Sequence, residues 1–92
     1  MDYKALSHAA SNVINAIETN PPETVITDAL ESIKSQMIFI RDNADNGKNP
    51  SAELMSGNKF TYAIIASREL TSPDELGLGD LISEVTRILI RG

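Results

Sequence analysis

Few residues in this chain could carry chemistry. There is one histidine, His8, and no cysteine. Four positions either side of His8 lie Lys4 and Asn12 rather than acids, so a helical metal pair has no second ligand. His8 therefore reads as a surface or satisfied boundary residue. The missing cysteines exclude a disulfide scaffold, a zinc knuckle, an iron–sulfur site and a thiol nucleophile together. No serine sits in a Gly-x-Ser-x-Gly turn, so a hydrolase nucleophile has no elbow. Gly77-Leu78-Gly79 is a Gly-x-Gly without a third glycine or a preceding strand, which makes a poor phosphate cradle. The stretch from Asp42 to Glu53 follows the outline of a calcium loop. Asp42 takes position one, Asn46 five, Gly47 six and Glu53 twelve. It fails at position three, where Ala44 offers no oxygen, and at position eight, where Asn49 replaces an aliphatic residue. Pro50 at position nine suits a helix start better. These residue types point away from an enzyme and assign no catalytic residue, metal or cofactor.

The elements that would position such residues must be compact. Ninety-two residues, 41% hydrophobic and 23% charged, have ordinary globular composition and suffice for one domain, taken as residues 1–92. A chain this short buries only roughly 60–65% of its unfolded surface, so its core must be dense. Thirteen acids against eight bases leave a net charge of −5. That field repels phosphate backbones and anionic lipid, so the expected partners include neither nucleic acid nor membrane. No apolar run approaches the length of a membrane helix. Met1-Asp2-Tyr3-Lys4 leads into no apolar signal region, and Ile90-Arg91-Gly92 carries no lipidation or retention motif. The expected location is the cytoplasm.

Apolar spacing is helical from end to end. Tyr3, Leu6, Ala10, Val13 and Ile17 step by three and four, with Lys4, Ser7, Ser11 and Asn15 opposite. Asn20-Pro21-Pro22-Glu23 reads as the stop of this helix and the cap of the next. In the second segment Ile26, Leu30, Ile33, Met37 and Ile40 form a stripe that Ala29 and Phe39 widen, with Glu31, Lys34 and Ser35 on the wet side. A helix from about Pro21 to Asp42 is expected, on the order of 30 Å long. Residues 43–49 read as a loop turned by Asn46-Gly47, and Asn49-Pro50 restarts a helix. The third segment passes Leu54, Met55 and Gly57 to Phe60, Ile64 and Ser67, with Tyr62, Ile65 and Leu70 alongside. Gly57 marks a kink or a close helix contact, and a strand over 60–66 is rejected because no second strand exists to pair with it. Ser72-Pro73-Asp74-Glu75 is a capping box, followed by Leu78, Leu81, Val85 and Ile88, with Ile82 and Leu89 adjacent. Gly77 and Gly79 place the settled start of this helix near Asp80. The expected fold is all-α, a compact bundle of three to four helices.

Charged residues at helix ends read most simply as solvated, with an exposed interhelical pair worth about 0–1 kcal/mol. Two local patterns alter that reading. One helix carries Gln36-Met37-Ile38-Phe39-Ile40-Arg41, and a later one ends Ala66-Ser67-Arg68-Glu69-Leu70 ahead of Pro73-Asp74-Glu75. With the Pro21–Val25 spacing ahead of Ala29, this resembles a family of small bacterial immunity proteins. The known member of that family protects its producer against a type VI secretion effector that degrades NAD(P). The resemblance spans roughly Pro21 to Leu89. It implies an all-helical, non-enzymatic inhibitor that binds a cognate toxin domain and occludes its active site. It implies further that Gln36, Phe39, Arg41, Arg68 and Glu69 hold the bundle's own geometry. Partner-facing residues are then the exposed ones around the long loop, with Asp42, Asp45, Asn46, Lys48 and Glu53 as candidates, because one inhibitor must fit one toxin and reject others. The alternative class is a non-enzymatic helical adaptor or a homodimeric scaffold that buries the Tyr62 and Ile65 side.

Overall fold

The computed structural model describes residues 2–22, 25–54, 59–70 and 76–91. They form five helices in the order α1 (Tyr3–Thr19), α2 (Thr27–Asp45), α3 (Pro50–Glu53), α4 (Tyr62–Glu69) and α5 (Leu76–Arg91). Among the described residues there is no strand, so the chain is all-α.

Helix α1 begins where Asp2, in an extended conformation, accepts the Ala5 N–H on Oδ1 at 3.0 Å. Its buried face is Leu6, Ala9, Ala10, Val13, Ile14 and Ile17. Asn20 closes α1 by donating its backbone N–H to the Ala16 carbonyl at 3.0 Å. It does not cap α2, contrary to the reading of Asn20-Pro21 as a helix start. The reason is the second proline. A residue before proline is pushed out of the α region, so Pro22 keeps Pro21 from opening a helix. Helix α2 starts at Thr27 instead, and extended Ile26 stands at its N-cap with no side-chain bond. Buried Val25 anchors the entry, whereas Ile26 is 62% exposed and leaves the expected stripe. At the other end α2 runs three residues past Asp42, to Asp45. Asn46 Nδ2 reaches back to the Asp42 carbonyl (2.8 Å), one of those a helix end leaves without partners, and a turn earlier Asn43 Nδ2 donates to the Phe39 carbonyl (2.9 Å). Gly47 then turns the chain at φ +69°, a region costly for any residue with a Cβ.

Asn49-Pro50 does restart a helix. Asn49 Oδ1 accepts the Ser51 N–H at 3.0 Å, and Pro50 is fully buried at the first position. The third segment is not one kinked helix, because Leu54 is extended (φ −69°, ψ 144°) and residues 59–61 lie outside a helix, ahead of α4. Gly57 and Met55 lie outside the described residues. In α4 the buried positions are Tyr62 and Ala66, continued by Leu70, a four-residue step; Ile65 is half-buried beside them. Ile64 is 57% exposed and Ser67 is exposed, so the expected Phe60–Ile64–Ser67 face points to solvent beyond Phe60. The capping box Ser72–Glu75 also lies outside the described residues. Helix α5 is continuous from Leu76 through both glycines, earlier than the expected start near Asp80. Each interior glycine costs about 1 kcal/mol relative to alanine. Burial of Leu78 between them and of Ile82 and Val85 beyond outweighs that cost.

Helix α1 packs most extensively on α2 and also against α5, while α4 bridges α2 and α5 and the short α3 lies on α2. One cluster of buried side chains joins them, centred on Leu6, Val13, Ile33, Met37, Ile40 and Val85. The radius of gyration is 12.5 Å, close to the about 12 Å expected of a packed chain of this length.

Candidate functional site

The candidate partner-facing residues gather at the C-terminal end of α2 and the turn beyond it. Asp42, Asp45, Asn46 and Lys48 are all exposed, as is Glu53 at the end of α3. The fold supports them from behind, since Ala44 is buried against the core and Pro50, the first residue of α3, is fully covered. Their individual ties differ. Asp42 pairs with its neighbour Arg41, whose guanidinium lies 3.1 Å away. Asp45 accepts from the Ser7 hydroxyl, which ties the end of α2 to the first turns of α1. This contact puts Asp45 beside an open depression of about 690 Å³ that Asp2, Tyr3, Lys4 and His8 also line. Sequence spacing gave no sign of that neighbourhood, because Ser7 and Asp45 are 38 residues apart.

The calcium-loop outline does not become a loop. Asp42 to Asp45, positions one to four, are helical residues of α2, so the first third of the outline does not wrap a centre as a loop would. Among the described residues no group of three or more His, Cys, Asp or Glu side chains is placed to hold a metal ion.

The residues of the Gln36–Arg41 and Arg68–Glu69 patterns have separate roles. Gln36 is a clamp. Its Oε1 accepts the backbone N–H groups of Thr61 (2.8 Å) and Tyr62 (2.9 Å), the first amides at the mouth of α4. Its Nε2 donates to Thr61 Oγ1 at 3.0 Å and to Ser32 Oγ at 3.3 Å. A side chain on α2 thereby supplies the cap that Thr61 itself does not make. Phe39 stands next to this clamp and meets Phe60 edge-to-face with centroids 6.0 Å apart, and Phe60 meets Tyr62 in the same way at 6.0 Å. Arg41 is half-buried and engaged with Asp42 rather than with another helix. Arg68, exposed in the last turn of α4, complements the negative end of the helix dipole, and Glu69 is half-buried beside it. The interhelical ion pair among the described residues is Lys34–Glu18 at 3.3 Å, between α2 and α1. Sequence reasoning did not single out that pair, nor Thr61, Ser32 or Thr86.

Tyr62 is the buried titratable group of this region. Its hydroxyl shares a 2.9 Å hydrogen bond with Thr86 Oγ1 on α5, fixing α4 to α5. Burial pushes its pKa above the ordinary 10.0, and the bond to Thr86 offsets part of that rise. The unfolded chain gives up this proton more readily than the folded one, so Tyr62's contribution to stability is complete below pH 10.0 and is lost as pH rises through the folded value. Melting temperature followed across the alkaline range is expected to fall in that window. Tyr62→Phe should remove this component of the slope, and an unchanged slope would mean that Tyr62 ionises as freely in the fold as outside it.

Fold and surface together define an all-α bundle whose exposed polar end is built on a packed core. Compared with family models, with characterised proteins and with solved structures, the chain matches none.

Proposed function

We propose that this chain is an immunity protein. In this reading it acts without chemistry of its own, in the cytoplasm, by binding a cognate antibacterial toxin domain and covering its active site. An NAD(P)-degrading effector of a type VI secretion system is the first toxin to try. The observation that carries the reading is the exposed end of α2 with α3. Asp42, Asp45, Asn46, Lys48 and Glu53 are presented to solvent there, while Ala44 and Pro50 behind them are buried. A fixed platform of charged and polar side chains suits an inhibitor, because complementary charge speeds encounter and rejects wrong partners. The similarity of the Gln36–Arg41 and Ala66–Leu70 patterns to the immunity family supports the same reading. No helix among the described residues is long and apolar enough to cross a membrane.

The adaptor or homodimer reading has less behind it. The side proposed for self-association contains Tyr62, and Tyr62 is 3% exposed within a single chain. Its hydroxyl and its backbone N–H are both engaged by α5 and α2.

Co-production with a candidate toxin domain, an NAD(P)-degrading effector first, tests the proposal. Cells making both should survive, and the purified chain should halt toxin turnover at equimolar amounts. Reversing three charges together (Asp42→Lys, Asp45→Lys, Glu53→Lys) is expected to slow association about tenfold at low salt. Equal killing with and without the chain would refute the function. Full protection by the charge-reversed variant with an unchanged association rate would instead move the interface elsewhere.

A further inference from the structure

Asn46 and Gly47 do more than turn the chain after α2. Both are exposed, and Gly47, at φ +69°, has no Cβ to hinder approach of the preceding side chain once its N–H is released. Asn46 also holds the helix end, since its Nδ2 donates to the Asp42 carbonyl at 2.8 Å. We propose that Asn46 is a deamidation site, and that its conversion unlatches the last turn of α2.

In the first step the Gly47 backbone nitrogen gives its proton to solvent base and attacks Cγ of Asn46. The new N–Cγ bond forms as the Cγ–Nδ2 bond breaks, and Nδ2 takes a proton from water and leaves as ammonia. Water then opens the resulting five-membered imide. Breaking the bond from the Gly47 nitrogen to Cγ gives aspartate, and breaking its bond to the Asn46 backbone carbonyl gives isoaspartate. One water is consumed and one ammonia released.

The fold restrains this reaction and also sets its consequence. The Gly47 N–H donates to the Ala44 carbonyl at 3.0 Å, and Nδ2 is held by Asp42, so both bonds must open before attack. Helix ends fray, and conversion proceeds from the frayed form. The aspartate product then puts a carboxylate where an amide donor stood, and isoaspartate loses the donor by drawing Cγ into the main chain. An acceptor faces the Asp42 carbonyl, and a new negative charge sits at the negative end of the α2 dipole, close to Asp42 and Asp45 in sequence. Asp45, which ties this turn to Ser7 of α1, lies within the segment that loosens.

The test incubates the full-length protein in mildly alkaline buffer at physiological temperature, folded and in denaturant, and follows intact mass and the peptide spanning residues 42–48. That peptide is expected to change from amide to acid with isoaspartate among the products, several-fold faster in denaturant than in the fold, and not in Asn46→Gln. Asn46→Asp is expected to lower the melting temperature by about 4–8 °C, more than Asn46→Ala does. A folded chain that stays unconverted while the denatured chain converts would overturn the site. Equal rates in both states would overturn the restraint by the turn. An Asn46→Asp variant as stable as the parent would overturn the unlatching.

Discussion

Replacing Ile33 by alanine is expected to cost about 3–4 kcal/mol of stability and to lower the melting temperature by about 15–25 °C. Ile33 has no exposed surface and stands in the middle of α2, the helix on which α1, α3 and α4 all pack. Truncation removes buried methyl and methylene groups and leaves a cavity that five short helices cannot close without shifting one another. A domain of this size has a total stability at the low end of about 5–15 kcal/mol, so the loss is a large share of it. Ile26→Ala provides the contrast. By spacing alone Ile26 and Ile33 belong to one stripe, yet Ile26 is 62% exposed and its truncation should change stability by less than about 0.5 kcal/mol. Thermal and urea unfolding of the two variants checks both numbers. Equal costs would place Ile26 in the core and refute the observed start of α2.

That pair of isoleucines shows where the fold was legible from sequence and where it was not. Within a helix, three-and-four spacing correctly picks out Leu6, Ala10, Val13 and Ile17 on α1 and Leu30, Ile33, Met37 and Ile40 on α2, because the period of the backbone decides which side chains share a face. Periodicity does not say where a helix begins. The expected second helix runs back to Pro21, although Pro22 keeps Pro21 out of a helix and Ile26 stays exposed ahead of α2, and spacing puts Ile64 on the third segment's face, although α4 buries Tyr62, Ala66 and Leu70 instead. Caps made by neighbouring residues were readable, as at Asn49-Pro50. Caps supplied from another helix were not. The candidate site divides in the same way. Exposure of Asp42 and Asn46 followed from their place at a helix end, whereas the Ser7–Asp45 tie and the depression near His8 arise only when α1 and α2 are laid together.

The cap supplied from α2 yields the other large effect. Gln36→Ala is expected to destabilise the chain by about 2 kcal/mol, well beyond the few tenths typical of a surface polar substitution. Four hydrogen bonds end on this one side chain, two of them from backbone amides at the start of α4. Alanine leaves those amides without the carbonyl that now holds them, and the Tyr62 N–H is partly buried, so water replaces the lost partner only in part. An eight-residue helix has little stability of its own and depends on such anchoring. Loss of the clamp should therefore loosen α4 and its Tyr62–Thr86 tie to α5 before the α1–α2 pair opens. Hydrogen exchange should show faster exchange at residues 62–69, with residues 6–17 and 30–40 protected as before. Gln36→Glu separates the two halves of the clamp. It keeps an acceptor for both backbone amides and loses the donor to Thr61 Oγ1 and Ser32 Oγ, so it should cost less than half as much as alanine. If glutamate and alanine cost the same, the amides of Thr61 and Tyr62 are not what Gln36 holds, and the anchoring of α4 must rest on the Phe39–Phe60–Tyr62 ring contacts instead.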